Sequence, residues 1–171
     1  MDKITEDIAE KAGKIKILLT DCDGVLTDGS VYYSEFGEAM KRFSMRDGMG
    51  VERLSRLVNV ETGMITGEAS EIVRRRVEKL GIKEYHAGIR DKLFVLNKII
   101  RDRNLQADQI AYIGDDVNDL EIMNHVGLSA CPADAIPMIR EIAHLKMINT
   151  GGHGAFREFA EAIIQFKLKS T

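Results

Sequence analysis

KIKILLTDCDGVLTDG, residues 14–29, opens as an apolar run through Ile15, Ile17, Leu18 and Leu19. The run is short enough for a buried strand and too short to cross a membrane. It then breaks into Asp21-Cys22-Asp23-Gly24. A strand has period two, so residues two apart share a side. Asp21 and Asp23 therefore leave the C-terminal end of the strand into one space, while Cys22 points the other way, into the core. Gly24 lets the chain turn. Two carboxylates ~4 Å apart repel by about 4 kcal/mol at an effective dielectric near 20. A cation or a shared proton has to offset that. An isolated D-x-D-G is best read as an Asp-Gly turn that caps a strand. The groups further along the chain change that reading.

Working outward, strand and helix patterns alternate. A hairpin is expected after Gly29, with strands at 31–34 and 39–44 and Gly37 in the turn. A lone hairpin is barely stable, so this one should pack on something, such as a neighbouring subunit. Arg46-Asp47-Gly48 leads into a helix at 49–57, and a strand at 60–65 ends at Thr66-Gly67. A helix at 70–80 stops at Gly81. A short strand is expected at 83–87. Asp91 caps a helix to position 103 with Leu93, Leu96 and Ile100 on one face. A strand at 109–113 ends at Gly114-Asp115-Asp116. A helix at 118–126, a strand at 128–131, a helix at 136–142 and a strand at 145–148 follow. Gly151-Gly152-His153-Gly154 reads as a flexible loop, and a final helix buries Phe156, Phe159, Ala160 and Ile163. This alternation predicts an α/β fold, a doubly wound parallel sheet with helices on both faces. One domain is expected over 1–171, with no cap domain. It has a lead-in at 1–13 (Ile4 and Ile8 one helical turn apart), a hairpin insert at 30–44, and a Gly-rich loop and tail helix at 150–171.

Composition narrows the partners. The 171 residues are 44% hydrophobic and 30% charged with a net charge of −3, which gives no reason to expect nucleic acid or an anionic membrane. No apolar segment approaches ~18 residues, and the acidic N-terminus lacks a signal-peptide core. Cys22 and Cys131 then read as free thiols in a cytoplasmic protein. The methionines fit core filling. His86, His125, His144 and His153 show no metal-ligand spacing, and only His153 sits in a loop able to reach a site. Arg74-Arg75-Arg76 reads as a solvated helix face, with an intersubunit or carboxylate-binding role as the minority reading.

Ligands of doubly wound sheets bind outside the carboxyl ends of the strands. Asp21 with Asp23, then Thr66, then Lys92, then Asp115, Asp116 and Asp119 all fall at or near such ends. Alone, Thr66-Gly67 is a turn, Lys92 a solvated helix residue, and Gly114-Asp115-Asp116 a helix cap. Together they suit phosphoryl transfer through a covalent aspartate. Thr66 can hydrogen-bond a phosphate oxygen and Lys92 can place positive charge on it. Asp23 can protonate a leaving alcohol and later deprotonate water. Mg²⁺ is the natural ion for an all-oxygen site of this kind. Spacing leaves open which of Asp115, Asp116 and Asp119 touches it.

D-C-D-G-V-L-T-D-G, I-T-G, Lys92 and G-D-D-V-N-D resemble the four motifs of the haloacid dehalogenase superfamily. The hairpin after the first motif, the missing cap and the tail G-G-x-G-A-F-R-E narrow the resemblance to the 3-deoxy-D-manno-octulosonate 8-phosphate (KDO 8-phosphate) phosphatases. The resemblance implies Asp21 as nucleophile and Asp23 as acid/base. It implies Mg²⁺ on Asp21, the Asp23 carbonyl and Asp115, with Asp116 and Asp119 behind them or bound through water. It also implies a substrate site that adds Arg46, Asp47, Gly48, Gly67 and Glu68 to Asp23, Thr66 and Lys92. A homotetramer built through the hairpins and a mobile 151–154 loop reaching toward an active site follow from it too. The implied substrate is a sugar-acid phosphate, first KDO 8-phosphate for lipopolysaccharide precursor synthesis. Glu68 stands where octulosonate phosphatases commonly carry a basic residue, and His153 where they often carry Arg. T-G-E followed by I-V-R-R-R-x-E-K-L resembles phosphatases of nine-carbon sialic-type acids such as KDN 9-phosphate, the alternative substrate.

Two other classes compete. A signalling receiver domain uses the same residue types, but its acid pair comes first and its phosphorylated Asp follows, the reverse of the order here. A silent oligomerisation scaffold would be expected to lose Asp21, Asp23 or the later acids, and all are present.

Overall fold

A computed structural model gives the fold and describes residues 3–169, with side chains from residue 6 onward. In chain order the elements are α1 (Lys3–Lys14), β1 (Ile17–Thr20), β2 (Tyr32–Ser34), β3 (Gly37–Met40), α2 (Met45–Val58), β4 (Glu61–Ile65) and α3 (Glu71–Leu80). They continue as β5 (Glu84–His86), α4 (Lys92–Asp102), β6 (Ile110–Ile113), α5 (Leu120–Met123), β7 (Leu128–Cys131), α6 (Pro137–Ile142), β8 (Leu145–Lys146) and α7 (Ala155–Lys169). Six strands form one parallel sheet in the order β5-β4-β1-β6-β7-β8, and β2 and β3 form a separate antiparallel hairpin. β1 lies between β4 and β6, in register Leu18↔Thr62 and Leu18↔Ala111. The chain builds outward from β1 to one edge, then returns to build the other. Order reverses beside β1, where such sheets leave a crevice at their carboxyl ends.

Period-two alternation splits the core in two. Leu18, Met64, Ala111 and Ile113 face α1, α2, α3 and α7, with Cys22 in the same cluster. Ile17, Leu19, Ile65, Ile110 and Tyr112 face α4, α5 and α6. The doubly wound parallel sheet read from the sequence is thus the one that forms. α7 buries Phe156, Phe159, Ala160 and Ile163 completely. Burying one Phe contributes about 1.5–3 kcal/mol, so these positions anchor the tail. Ile8 is buried in the core on the α1 face of the sheet; the side chain of Ile4, its expected partner, lies outside the described residues. Residues 1–2 and 170–171 of the expected single domain lie outside them too.

Several boundaries differ from the sequence reading, each for a local reason. The second hairpin strand stops at Met40 rather than 44, because Lys41 turns inward to Asp23. α2 begins at Met45 rather than 49: Ser44 caps it by accepting from the Arg46 N–H, so Arg46, Asp47 and Gly48 form its first turn. α4 buries Val95, Leu96 and Ile99, with Leu93 and Ile100 only half-buried. Its inward face is set by Lys92, whose ammonium is drawn beneath the sheet end. The helix expected at 118–126 is a 3-10 turn, Val117–Asp119, followed by the short α5. β8 pairs only at Leu145–Lys146, since the Ile148 and Asn149 N–H groups donate to the Glu158 carboxylate instead.

Candidate active site

The loop after β1 continues the strand by one bond: the Asp21 N–H donates to the Ile113 carbonyl at 3.0 Å. That contact fixes Asp21 beside the end of β6. Its Oδ1 accepts from the Cys22 N–H at 2.6 Å, and Oδ2 lies 3.0 Å from Lys92 Nζ. The chain then turns at Gly24, whose φ of +83° favours glycine. A Cβ there would also overlap the Asp115 carboxylate. This glycine therefore lets the first and last acidic motifs approach each other.

Beneath them sits a buried knot. Lys92 is 2% exposed and Asp119 fully buried. Lys92 Nζ donates to Asp119 Oδ1 at 2.6 Å and to the Tyr112 hydroxyl at 3.1 Å. The Tyr112 hydroxyl itself donates to Asp119 Oδ1 at 2.6 Å. Asp119 Oδ2 accepts from the Asp115 N–H at 2.9 Å. Both oxygens of Asp119 are thus used by the protein. Asp115 differs: its Oδ1 is buried with no hydrogen-bond partner. Asp116 is exposed and caps the following turn through the Val117 N–H. The carboxylates of Asp21, Asp115 and Asp119 have oxygens within 4.8 Å of one another. Asp119 is fully buried outside the cleft and takes Lys92 and Tyr112 on one oxygen and the Asp115 N–H on the other, whereas Asp21 has one partner on each oxygen and opens to the cleft, so the group that fits a hard cation is Asp21 with the orphaned oxygen of Asp115.

Electrostatics agree with that reading. Burial pushes the Asp21 carboxyl up to about 7; the Asp119 charge adds to the rise, and Lys92 and the Cys22 N–H oppose it. Burial likewise raises Asp115 to about 8, with the charges of Asp21, Asp119 and Asp116 adding and Lys92 opposing. Lys92 loses charge preference to burial, but Asp21 and Asp119 more than restore it, leaving it above its ordinary value. One ammonium therefore serves several carboxylates, and the cluster favours a further positive charge.

These residues floor a cleft of about 380 Å³ lined by Asp21, Asp23, Gly24, Gly29, Thr66, Gly67, Glu68 and the 115–118 turn. Asp23 and Thr66 flank Asp21, and Lys92 and Asp119 lie behind it. Arg46, Asp47 and Gly48 do not line this cleft. Arg46 is exposed on α2. Asp47 is buried and accepts from the Arg157 N–H at 2.9 Å, joining α2 to α7. Gly48 borders a larger groove of about 500 Å³ that also touches Glu61, Lys79 and Lys83 and contains none of the site acids. The cluster of carboxylates makes the smaller cleft the chemical one.

The 151–154 loop is tied down rather than loose. The Gly152 N–H donates to the Val25 carbonyl at 2.9 Å and the Gly151 N–H to Asp134 Oδ1 at 2.9 Å. The loop reaches the back of the 24–27 turn, and His153 lies against Arg42 rather than in the cleft. Two site residues escaped the sequence reading. Tyr112, an aromatic in an otherwise aliphatic strand, was the available signal for one. Lys41 donates to both oxygens of Asp23, at 2.8 and 2.7 Å; nothing local separates it from its neighbour Arg42. Arg76, from the basic run, packs over Phe43 and donates to the Ser44 carbonyl.

Comparison with known proteins gives a consistent picture. Residues 81–156 match the family model described as haloacid dehalogenase-like hydrolase. The 3-deoxy-D-manno-octulosonate 8-phosphate phosphatase of Yersinia pestis is 36% identical over 94% of this chain and 86% of its own. That of Haemophilus influenzae is 38% identical over 95% and 89%. Among solved structures, the Moraxella catarrhalis phosphatase of the same name, in complex with magnesium, phosphate and KDO, superimposes with a TM-score of 0.92. It is 32% identical, over 96% of this chain and 94% of that one.

Proposed function

The chain belongs to the haloacid dehalogenase-like hydrolases, in their KDO 8-phosphate phosphatase family, and from this premise we propose that it hydrolyses a sugar-acid phosphate through an aspartyl-phosphate on Asp21. As a member it is a phosphoric monoester hydrolase. The observation that carries the mechanism is Asp21 at the floor of the cleft, held by Lys92, with Asp23 and Thr66 beside it.

Asp21 attacks phosphorus, and the P–O bond to the sugar breaks as the Asp21–phosphorus bond forms. Asp23 gives a proton to the departing alkoxide, then takes one from the water that cleaves the aspartyl-phosphate. Phosphate leaves and the Asp21 carboxylate is restored. Thr66 donates its hydroxyl to a phosphoryl oxygen. Lys92 holds Asp21 in position and contributes positive charge at the floor. Mg²⁺ is the metal, supported by the magnesium complex of the Moraxella catarrhalis relative and by the unpartnered Asp115 oxygen. Asp21, the Asp23 carbonyl and Asp115 would hold it, with Asp119 supporting from behind and Asp116, at the cleft rim, able to reach it through water. A divalent cation bound there neutralises phosphoryl charge and relieves the carboxylate repulsion.

KDO 8-phosphate is the first substrate, supported by the names of the relatives. A nine-carbon 2-keto-3-deoxy acid 9-phosphate is the second reading, because Glu68, which lines the cleft, belongs to the T-G-E and I-V-R-R-R-x-E-K-L pattern that resembles phosphatases of nine-carbon acids. Arg46, Asp47 and Gly48 contribute only if a neighbouring subunit brings them to a cleft. A homotetramer through the hairpins is supported by Tyr33 and Phe36, 76% and 92% exposed in the single chain. Two free buried cysteines suit a cytoplasmic site of action. Among the described residues no helix is long and apolar enough to cross a membrane.

The test is phosphate release from both acid phosphates side by side, with Mg²⁺ and with EDTA. Mg²⁺-dependent release with at least tenfold preference for the eight-carbon substrate, about 1.4 kcal/mol in transition-state binding, supports the first reading. The opposite preference selects the second. An inert wild type, or full turnover by Asp21→Asn, overturns both.

A further inference from the structure

We propose that Lys41, carried by the inserted hairpin, is a positioning residue that fixes the Asp23 carboxylate in the orientation from which it protonates the leaving oxygen. The proposal rests on the acid/base assignment of Asp23 made above.

Lys41 directly follows β3, and its side chain is 1% exposed. Its ammonium reaches both oxygens of Asp23, at 2.8 and 2.7 Å, and lies 3.2 Å from Glu38 Oε1. The other oxygen of Glu38 accepts from the Ser70 hydroxyl. Ser70 caps α3, four residues beyond Thr66. One continuous set of contacts thus runs from Asp23 through the hairpin to the Thr66 loop. Asp23 is partly exposed and lines the cleft; Lys41 does not. Lys41 therefore acts on the reaction through Asp23, not by touching substrate.

The alternative support for Asp23 is weak. Its remaining side-chain partner is the Thr27 hydroxyl, 3.2 Å from Oδ1 alone. A single contact on one oxygen leaves the carboxylate free to rotate about its last bond. A two-point contact removes that freedom. Misplacement of a reacting group by about 1 Å can lower a rate by about 100-fold. Glu38 shares the ammonium, so Lys41 orients Asp23 without placing a full unshared positive charge at the proton-transfer site. The hairpin therefore has an inward task distinct from its exposed apolar tip.

Leaving-group dependence tests this. An alkoxide needs a proton as it departs, whereas p-nitrophenolate departs without one. kcat/KM reports through the first irreversible step, so it isolates leaving-group protonation from later water attack. The measurement is kcat/KM for KDO 8-phosphate and for p-nitrophenyl phosphate, with Mg²⁺, in wild type, Asp23→Asn, Lys41→Met and Lys41→Gln. The ratio of the two values does not depend on the fraction of protein folded. Lys41→Met is expected to lower the sugar-to-aryl ratio by about 10- to 100-fold, less than the roughly 10²–10⁴-fold of a whole general-acid effect because Asp23 itself remains. Lys41→Gln keeps a donor toward Asp23 and should fall between it and wild type. If Lys41→Met yields no folded protein, the Lys41→Gln ratio decides. An unchanged ratio in the Lys41 variants, with a reduced ratio in Asp23→Asn, overturns the proposal and leaves the role of Asp23 standing. An unchanged ratio in Asp23→Asn removes Asp23 as the acid and overturns both.

Discussion

Replacing Lys92 with Met deletes one buried positive charge at nearly constant side-chain volume. The ammonium lies 3.0 Å from Asp21 Oδ2 and 2.6 Å from Asp119 Oδ1. At an effective dielectric near 20, unit charges about 3 Å apart attract by roughly 5 kcal/mol. Desolvating the groups offsets much of that, and deleting one partner of a buried pair typically costs about 3–5 kcal/mol. The metal-free variant should therefore lose about 3–5 kcal/mol at pH 8. The sign with pH follows from Asp21, whose carboxyl sits at about 7. At pH 8 it is ionised and paired with Lys92. At pH 5 it is protonated with or without the lysine, so only the Asp119 contact is lost and the deficit shrinks. Urea unfolding of both proteins in EDTA at pH 5 and pH 8 gives the four free energies. A deficit below about 1 kcal/mol at pH 8, or one that grows toward pH 5, would refute the picture of a single ammonium holding this cluster together.

Three further outcomes follow from the same geometry. In the metal-free protein Asp21 and Asp115 both titrate above their unfolded value near 3.8, at about 7 and about 8. The folded state holds protons that the unfolded state releases, so stability falls as pH rises from about 4 to 8; thermal melts in EDTA should show this, and Mg²⁺ should raise the melting temperature far more at pH 8 than at pH 5. Gly24→Ala should weaken Mg²⁺ binding by at least about tenfold, read by calorimetry, because its Cβ displaces the Asp115 carboxylate and its φ is positive; unchanged affinity would remove Asp115 from the metal site. Replacing Tyr33 and Phe36 together with Ser should convert a tetramer to smaller species in sedimentation without lowering monomer stability by more than about 0.5 kcal/mol.

The site acids were legible because their positions obey local rules. Strand period sets Asp21 and Asp23 at the end of β1, and the Gly-Asp-Asp turn ends β6 in the same layer. Spacing gives Asp119 no more than a place among the three downstream acids. Its saturation by Lys92, Tyr112 and the Asp115 N–H depends on three elements meeting, which spacing does not encode. Lys41 is invisible in the sequence for the same reason: a hairpin can dock in many ways, and only the docked form brings the residue after β3 to Asp23. Ser44 as a cap could have been read from the sequence and would have placed Arg46, Asp47 and Gly48 inside α2. Three glycines in four residues read as a flexible loop at 151–154, because glycine is locally permissive. Its backbone hydrogen bonds to Val25 and Asp134 come from distant chain and restrain it.

The central claim is that Asp21 carries the phosphoryl group. Asp23→Asn, mixed with p-nitrophenyl phosphate and Mg²⁺ and quenched in acid, tests it most directly, because the leaving group needs no proton from Asp23 while discharge of the intermediate needs Asp23 to take one from water. Mass analysis of the peptide containing residues 14–29 should find one phosphoryl group on Asp21, formed with a stoichiometric burst of p-nitrophenolate. A burst with no phosphoryl group on the protein, or with the group on any other residue, would contradict the account.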